Sequence, residues 1–237
     1  MPDVNGGVTL ETLADGVTLE SLPDGLALRT PAGLVVRAAA ERLAGPRLKG
    51  RDLLGKATFA REGGDPVSVV DATAGLGADG FHLAALGHAV TLIEREPLIH
   101  ALLADTLARA LAGALGPRAE AAARRVTLHL VDARVYLATA ERAQVVYLDP
   151  MFPERGKTAL PGKAMALFRE QLHPREAREA EEAGLLLAAR RHAARRVVVK
   201  RPLRAPPLGG VAPSGALSGT TVRFDLYAAL VQGAGRG

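Results

Sequence analysis

The sequence predicts an α/β fold in which a mostly parallel sheet carries helices on both faces, with a small β-rich extension at the amino terminus. Apolar runs recur along the chain and are separated by segments of helical periodicity. These runs lack the strict alternation of a half-exposed strand, which indicates strands buried on both faces. The length of 237 residues fits one domain of this kind with a short extension.

A nine-residue repeat dominates the amino-terminal extension. Two nearly identical copies begin at Gly7 and Gly16, and a looser copy begins at Gly25. Asp-Gly pairs at the junctions favour tight turns, and alternating apolar residues favour short strands. We therefore predict a β-meander over residues 1–33. The repeat lacks the glycine-rich, aspartate-bearing pattern of a calcium-binding nonapeptide array.

A basic segment with a helical pattern follows over residues 34–64, and the main domain is predicted to occupy residues 65–237. The strands of this domain are expected at residues 67–71, 88–94, 125–131, 145–149, 196–200 and 221–230. Helices are expected between them, at residues 78–86, 97–112, 134–141 and 163–194. A strand at the edge of the sheet is free to run antiparallel.

The composition restricts the function classes that the chain can serve. Lys and Arg outnumber Asp and Glu by 30 to 25, a net charge of +5 that suits either a polyanionic partner or a solvated basic face. The absence of cysteine excludes thiolate chemistry, and the six histidines lack the spacing of metal ligands, so we expect no metal. We find no leader-like or membrane-spanning run, and therefore expect a soluble, cytoplasmic protein.

A glycine-rich turn follows the first strand of the main domain, at residues 71–80. Its three glycines satisfy the dinucleotide-binding pattern, and Glu94 lies 19 residues after Gly75, where an acidic residue meets a ribose. A nicotinamide enzyme is therefore one interpretation. Asp71 favours another, because a carboxylate four residues before the first glycine would repel a pyrophosphate and attract a cationic ligand.

The pattern of apolar residues, Asp71 and glycines resembles the first motif of class I methyltransferases, whose Rossmann-like fold binds S-adenosylmethionine. The methionine end of that cofactor carries an ammonium and a sulfonium, which suit the Asp71 carboxylate. The resemblance implies that Gly75 and Gly77 let the backbone approach the amino-acid portion. It also implies that Glu94 accepts both ribose hydroxyls and that Asp132 accepts the adenine amine. In open α/β sheets, ligands bind beyond the carboxyl ends of the strands.

The tetrapeptide Asp149-Pro150-Met151-Phe152 follows an apolar run and resembles the motif of methyltransferases that act on amino groups. An exocyclic base amine is a poor nucleophile because its lone pair is delocalised into the ring. The Asp149 carboxylate and the Pro150 carbonyl would accept its N–H groups, orient the lone pair and stabilise the developing positive charge. Phe152 would stack on the base, a contact worth roughly 1–3 kcal/mol. Alternatively, Asp149 caps a helix and Phe152 belongs to the core.

Four segments together resemble one family, the small-subunit ribosomal RNA methyltransferase J family, whose members methylate guanine N2 in 16S rRNA. The segments are residues 71–77, residues 145–153 with 157–159, residues 196–202 with 205–208, and residues 223–227. Met151 is the usual residue of that family in the tetrapeptide. By this resemblance the cofactor site is lined by Ala78, Asp79, Glu94, Arg95, Asp132, Ala133 and Asp149.

Basic residues that follow the tetrapeptide and the fifth strand are expected to converge near the site and contact RNA phosphates. They are Arg155, Lys157, Lys163, Lys200 and Arg201. The sequence thus predicts methyl transfer from S-adenosylmethionine to guanine N2 in 16S rRNA, presented as free RNA or in the small ribosomal subunit. Adenine-N6 methylation of RNA or DNA, and a noncatalytic RNA-binding protein, are the alternative interpretations.

Overall fold

The computed structural model describes residues 8–12, 16–38, 52–59, 65–150 and 175–230. Within these ranges the strands form a four-stranded antiparallel sheet near the amino terminus and a seven-stranded sheet in the main domain. No helix in the described ranges is both long and apolar enough to cross a lipid bilayer.

The amino-terminal sheet confirms the predicted β-rich extension and enlarges it by one strand. Its strands, each antiparallel to the next, are β1 (Val8–Thr12), β2 (Thr18–Leu22), β3 (Gly25–Arg29) and β4 (Val35–Val36). The helical prediction is wrong at β4, because two β-branched residues there pair with the end of β3 instead of starting a helix. The boundaries proposed for the three regions stay a prediction.

The main sheet has the order β10-β11-β9-β8-β5-β6-β7. Strands β5 to β9 are mutually parallel, and β11 runs antiparallel to both β9 and β10. The strands are β5 (Ser68–Asp71), β6 (Ala89–Glu94), β7 (Val126–Leu130), β8 (Val145–Leu148), β9 (Arg196–Pro202), β10 (Gly215–Ser218) and β11 (Val222–Ala228). The sequence did not predict β10, because its glycine and serine residues give little strand signal.

Six α-helices are present in the described ranges: α1 (Leu53–Ala57), α2 (Ala78–Ala85), α3 (Pro97–Leu111), α4 (Pro117–Ala123), α5 (Ala133–Thr139) and α6 (Arg175–His192). Pro97 and Pro117 stand in the first turns of α3 and α4, where a missing N–H costs nothing. The short α4, which follows Gly116, was not predicted.

Alternate residues of the central strands face two apolar layers. On β8, Val145 and Tyr147 pack with α2, α3 and α4, whereas Val146 and Leu148 pack with α5 and α6. This arrangement explains why the strands read as continuous apolar runs. The first layer also contains Leu28 of the amino-terminal sheet, and the Leu26 N–H donates to Asp105 of α3 over 3.0 Å. The amino-terminal sheet is therefore anchored on α3.

The connections of β5 indicate a ligand site at the carboxyl ends of the strands of the main sheet. The chain leaves β5 through α2 to reach β6 on one side, while β8 pairs with β5 on the other side. Strand order thus reverses at the carboxyl end of β5. Ligands of open α/β sheets bind at such a switch point.

Candidate cofactor cleft and adjoining charge cluster

A cleft opens at the carboxyl ends of β5, β6 and β7. Its empty volume is about 860 Å³ when the open solvent at its mouth is counted. Strand ends contribute most of its lining, with further residues from α6. The lining includes Thr73, Glu94, Arg95, Asp132, Ala133, Pro150, Glu181, Glu182 and Leu185.

Backbone conformation and packing both require glycine in the turn that follows β5. Gly75 and Gly77 have φ values of +52° and +80°, in the left-handed region that favours glycine. A Cβ atom at Gly77 would lie 2.7 Å from Leu103 of α3, and one at Gly80 would lie 2.3 Å from Leu92 of β6. These glycines therefore let α2 approach the sheet and α3 closely, which positions Ala78 and Asp79 in the first turn of α2.

Glu94, at the end of β6, is held by the backbone. Only 3% of the residue is exposed, yet it lines the cleft. Its carboxylate accepts the N–H groups of Gly75, Arg95 and Glu96 at 2.9, 2.9 and 3.0 Å. Bonds from several backbone donors to one carboxylate are strong and hold it in one orientation. The acceptor that the sequence predicts for a ribose is thus preorganised.

Asp132, after β7, caps the first turn of α5. Its Oδ1 atom accepts the Arg134 N–H at 2.8 Å, and the guanidinium of Arg134 lies 3.2 Å away. Burial alone would raise the pKa of Asp132, but the bonds from Arg134 outweigh it and lower that pKa. Arg95 lies beside this carboxylate, 3.9 Å away, and also 3.7 Å from Glu181 of α6. Ala133, which follows the cap, is the first residue of α5.

The contribution of α6 to the cleft was not predicted. Glu181, Glu182 and Leu185 face the cleft from the middle of a long, charged helix. In the sequence these residues resemble an ordinary solvated helix surface. Only the packing of α6 across the sheet reveals which of its faces meets the cleft.

Asp71 lies beneath α2. It is 2% exposed, its Oδ1 atom accepts the Thr73 N–H at 3.2 Å, and a Cβ atom at Gly80 would lie 3.2 Å from its Oδ2 atom. Burial and the charge of Asp79 raise the pKa of Asp71 well above its usual value. The predicted direct contact between an ionised Asp71 and a cationic ligand does not agree with this placement. The carboxyl group stabilises the turn instead.

A second group of polar residues adjoins the cleft at Thr73 and Pro150. We call Asp79, Tyr147, Asp149 and Lys200 the charge cluster. The Lys200 ammonium donates to Asp79 and to Asp149, both at 2.8 Å, and the Tyr147 hydroxyl donates to Asp79 at 2.6 Å. The Asp149 N–H donates to the Thr73 hydroxyl at 2.6 Å. Asp79 and Asp149, far apart in sequence, are thereby brought together.

Two successive basic residues near the end of β9 take different places. Lys200 joins the charge cluster, whereas Arg201 is 1% exposed and donates to the Pro206 carbonyl at 3.1 and 2.7 Å. Because successive strand residues face opposite sides, Arg201 packs against the loop on the other face. The prediction that Arg201 contacts RNA phosphates is therefore wrong for this conformation. Among the described residues, no three His, Asp or Glu side chains are arranged to hold a metal ion.

The remaining predicted site residues lie outside the described ranges. They are the tetrapeptide residues Met151 and Phe152 and the basic residues Arg155, Lys157 and Lys163. Asp149 and Pro150 are therefore the part of the predicted tetrapeptide that the structure places, at the end of β8.

Comparison with known proteins identifies relatives of the whole fold. A family model described as "Putative SAM-dependent methyltransferase" matches residues 7–229. The ribosomal RNA small subunit methyltransferase J of Thioalkalivibrio sulfidiphilus is 52% identical over 161 residues, which cover 68% of this chain and 61% of that protein. Its namesake from Marinobacter nauticus is 46% identical over 165 residues, covering 68% and 56%. The chain thus spans 56–61% of the length of these two relatives.

A solved structure resembles the chain over nearly its full length. The crystal structure of a SAM-dependent methyltransferase from Neisseria gonorrhoeae has a TM-score of 0.71 and 33% sequence identity. The match covers 92% of this chain and 85% of that one. The class I fold predicted from the glycine turn and the strand pattern is confirmed by this match and by the strand order.

Proposed function

The chain belongs to this family of S-adenosylmethionine-dependent methyltransferases, and we propose that it methylates the exocyclic N2 amine of a guanine in small-subunit ribosomal RNA. The observation that carries the proposal is the position of Asp149. Asp149 directly follows β8 and lies beside the cleft. Glu94 at the end of β6 and Asp132 after β7 line that cleft. The proposed acceptors for a ribose, an adenine and a substrate amine thus all lie at the carboxyl ends of strands of the same sheet.

The residues of the cleft fit S-adenosylmethionine. Glu94 would accept the ribose hydroxyls and Asp132 the adenine amine, because both carboxylates line the cleft. Asp79 would meet the methionine ammonium from the first turn of α2. The cofactor supplies an electrophilic methyl group on a sulfonium. Family membership decides between the two interpretations of the glycine turn, against a nicotinamide cofactor.

Asp149 and Pro150 would act on the substrate amine. The carboxylate accepts an N–H group of guanine N2, which directs the nitrogen lone pair away from the protein contact and stabilises positive charge as it develops. The Pro150 carbonyl accepts the second N–H group, and the proline ring restricts the turn that presents this carbonyl. As the N–C bond to the methyl group forms, the bond between that methyl group and the sulfonium sulfur breaks, and Asp149 would accept the proton that the methylated nitrogen then loses.

The identity of the substrate is supported by relatives and by charge. Curated relatives at 42–52% identity carry the name ribosomal RNA small subunit methyltransferase J. The sequence resemblance to that family implies guanine N2. We propose that Arg155, Lys157 and Lys163 contact RNA phosphates and that Phe152 stacks on the target base. A ribosomal RNA substrate also implies action in the cytoplasm, where ribosomal subunits are.

The experiment is methyl transfer to an unmodified substrate. Free 16S rRNA and small subunits that lack the modification are each incubated with the chain and methyl-labelled cofactor, then digested to nucleosides. We expect labelled N2-methylguanosine. Labelled methyladenosine as the only product would support adenine-N6 methylation instead. RNA binding without any transfer would support the noncatalytic alternative, and the comparison of free RNA with subunits identifies the form that is recognised.

A further inference from the structure

Lys200 lies between two carboxylates beside the cleft. The parallel pairing of β8 and β9 sets Leu148 opposite Val199, so that the next residues, Asp149 and Lys200, lie side by side just beyond the last paired residues of these two strands. The Lys200 Nζ atom is 2.8 Å from Oδ2 of Asp149 and 2.8 Å from Oδ2 of Asp79. Only 27% of the lysine side chain is exposed. Its ammonium is therefore committed to protein carboxylates rather than directed into solvent.

The surroundings of Lys200 favour a permanent positive charge. Burial alone would lower the pKa of the ammonium, but the charges and hydrogen bonds of Asp149 and Asp79 raise that pKa above its usual value. Tyr147 donates to the same Oδ2 atom of Asp79 at 2.6 Å, so that this oxygen has two donors. A linear network then runs from Tyr147 through Asp79 and Lys200 to Asp149.

We propose that Lys200 is a positioning residue for methyl transfer: it holds Asp149 charged and in one orientation, and it ties this carboxylate to Asp79. The inference rests on the proposed function, because it assumes that Asp149 accepts a substrate amine. The hydrogen bond from Lys200 to one oxygen of Asp149 restricts rotation of the carboxylate group. The orientation of that group sets the direction from which it accepts an N–H group of the amine. The buried carboxyl group of Asp71, beneath α2, also interacts electrostatically with Asp79, Asp149 and Lys200, so it belongs to the charged surroundings of the lysine.

This role differs in its consequences from a contact with RNA phosphates. A phosphate contact contributes mainly to RNA affinity and to the salt dependence of binding. A positioning cation acts on the rate of transfer and on its pH dependence, because the neighbouring carboxylate takes up a proton more readily when the cation is removed. The two roles are therefore separable by measurement.

The variants are Lys200→Met, Lys200→Arg and a control, Arg204→Met. Arg204 is an exposed cation four residues further along the same segment. Single-turnover transfer of labelled methyl groups is measured as a function of pH, and RNA affinity is measured as a function of salt concentration. Binding of S-adenosylhomocysteine confirms an intact cofactor site.

For Lys200→Met we expect turnover to fall about 100-fold. We also expect the acid limb of the rate profile to move about one pH unit upward, with RNA affinity within about twofold of the wild type.

The remaining outcomes decide between the roles. Lys200→Arg should recover about tenfold of the lost rate, because a guanidinium can bond to both carboxylates. Arg204→Met should leave the acid limb in place. If Lys200→Met keeps the rate and the acid limb but reduces the salt slope by about one, Lys200 is a phosphate contact and the inference is wrong. If the wild type yields only methyladenosine, the guanine proposal fails while the inference is still tested on that product. Absence of any transfer by the wild type contradicts both.

Discussion

In the cleft at the ends of β6 and β7, each carboxylate accepts backbone N–H groups, whereas in the charge cluster the carboxylates are held by other side chains. Glu94 has three backbone donors, and Asp132 caps a helix. Asp79 and Asp149 instead share the ammonium of Lys200. The first arrangement is fixed by the fold itself. The second depends on each partner being present.

The difference predicts how the two regions respond to substitution. A carboxylate held by backbone donors can be replaced without disturbing distant side chains, so its effects should add to those of other changes. A change in the charge cluster leaves another charged group without its partner, and such effects are not additive. The cleft should therefore show local losses of cofactor affinity, and the charge cluster should show coupled losses of rate.

The largest effect is expected for Asp149→Ala. The variant lacks the carboxylate that receives the substrate amine, so single-turnover methyl transfer should fall by roughly 10²–10⁴-fold. RNA affinity and S-adenosylhomocysteine binding should change little. Asp65→Ala is the matched control, since this exposed aspartate precedes β5 at the opposite edge of the sheet. Unchanged turnover in Asp149→Ala would contradict the proposed role of the carboxylate.

The next effect is expected for Glu94→Gln, in the cleft. The amide presents donors to backbone N–H groups and offers one oxygen where the carboxylate offers two. We expect S-adenosylhomocysteine affinity, measured by calorimetry, to fall about 10–100-fold, and the free energy of unfolding to fall by about 1–3 kcal/mol. The control is Glu96→Gln, whose carboxylate lies 3.5 Å from the exposed guanidinium of Arg95. Equal affinities for the two variants would show that Glu94 does not bind the ribose.

The sequence predicted the fold well because its central strands are continuous apolar runs with clear breaks. The sequence analysis did not predict the order of those strands in the sheet. Strand β10 and helix α4 were missed, since Gly215–Ser218 and Pro117–Ala123 are short and weakly patterned. These elements form through pairing with β11 and packing against α2 and α3, which local propensity does not encode.

For the candidate site, the sequence indicated which residues follow the strands but not the direction of every side chain, and the roles of these residues stay predictions. The placement of Glu94, Asp132 and Pro150 around one cleft follows from their positions after parallel strands. Alternation along a strand predicts that Lys200 and Arg201 face opposite sides of the sheet. The sequence could not show which of the two side chains faces the site. The predicted contact between Asp71 and a cationic ligand likewise rested on the charge of the carboxylate, whereas burial favours its protonated form.

A third prediction concerns Asp71 and pH. Because the folded state raises the pKa of this carboxyl group, the stability it contributes is complete below the unfolded value of about 3.9 and is lost as pH rises through the folded value. Asp71→Asn has a neutral amide that can still accept the Thr73 N–H. The variant should therefore gain stability relative to the wild type as pH rises, by up to about 1.4 kcal/mol per pH unit within that window.

Urea unfolding at pH 4, 5.5 and 7 measures this difference. At pH 7 we expect Asp71→Asn to be more stable than the wild type by about 1 kcal/mol or more. Asp65→Asn, at an exposed position, should show no such trend. A difference between Asp71→Asn and the wild type that stays constant with pH would contradict the raised pKa of Asp71 in the folded state.

The smallest effect is expected for Asp132→Asn, which tests how independent the cleft is. Asparagine caps a helix about as well as aspartate, and the pair with Arg134 is largely solvated, so the free energy of unfolding should change by less than about 0.5 kcal/mol. S-adenosylhomocysteine affinity should fall about threefold, because the amide keeps one acceptor. Asp132→Ala also removes the cap and should cost about 1 kcal/mol of stability. If Asp132→Asn slowed methyl transfer at saturating cofactor as strongly as Lys200→Met does, the cleft and the charge cluster would be one coupled network, because a loss confined to binding cannot lower the saturated rate.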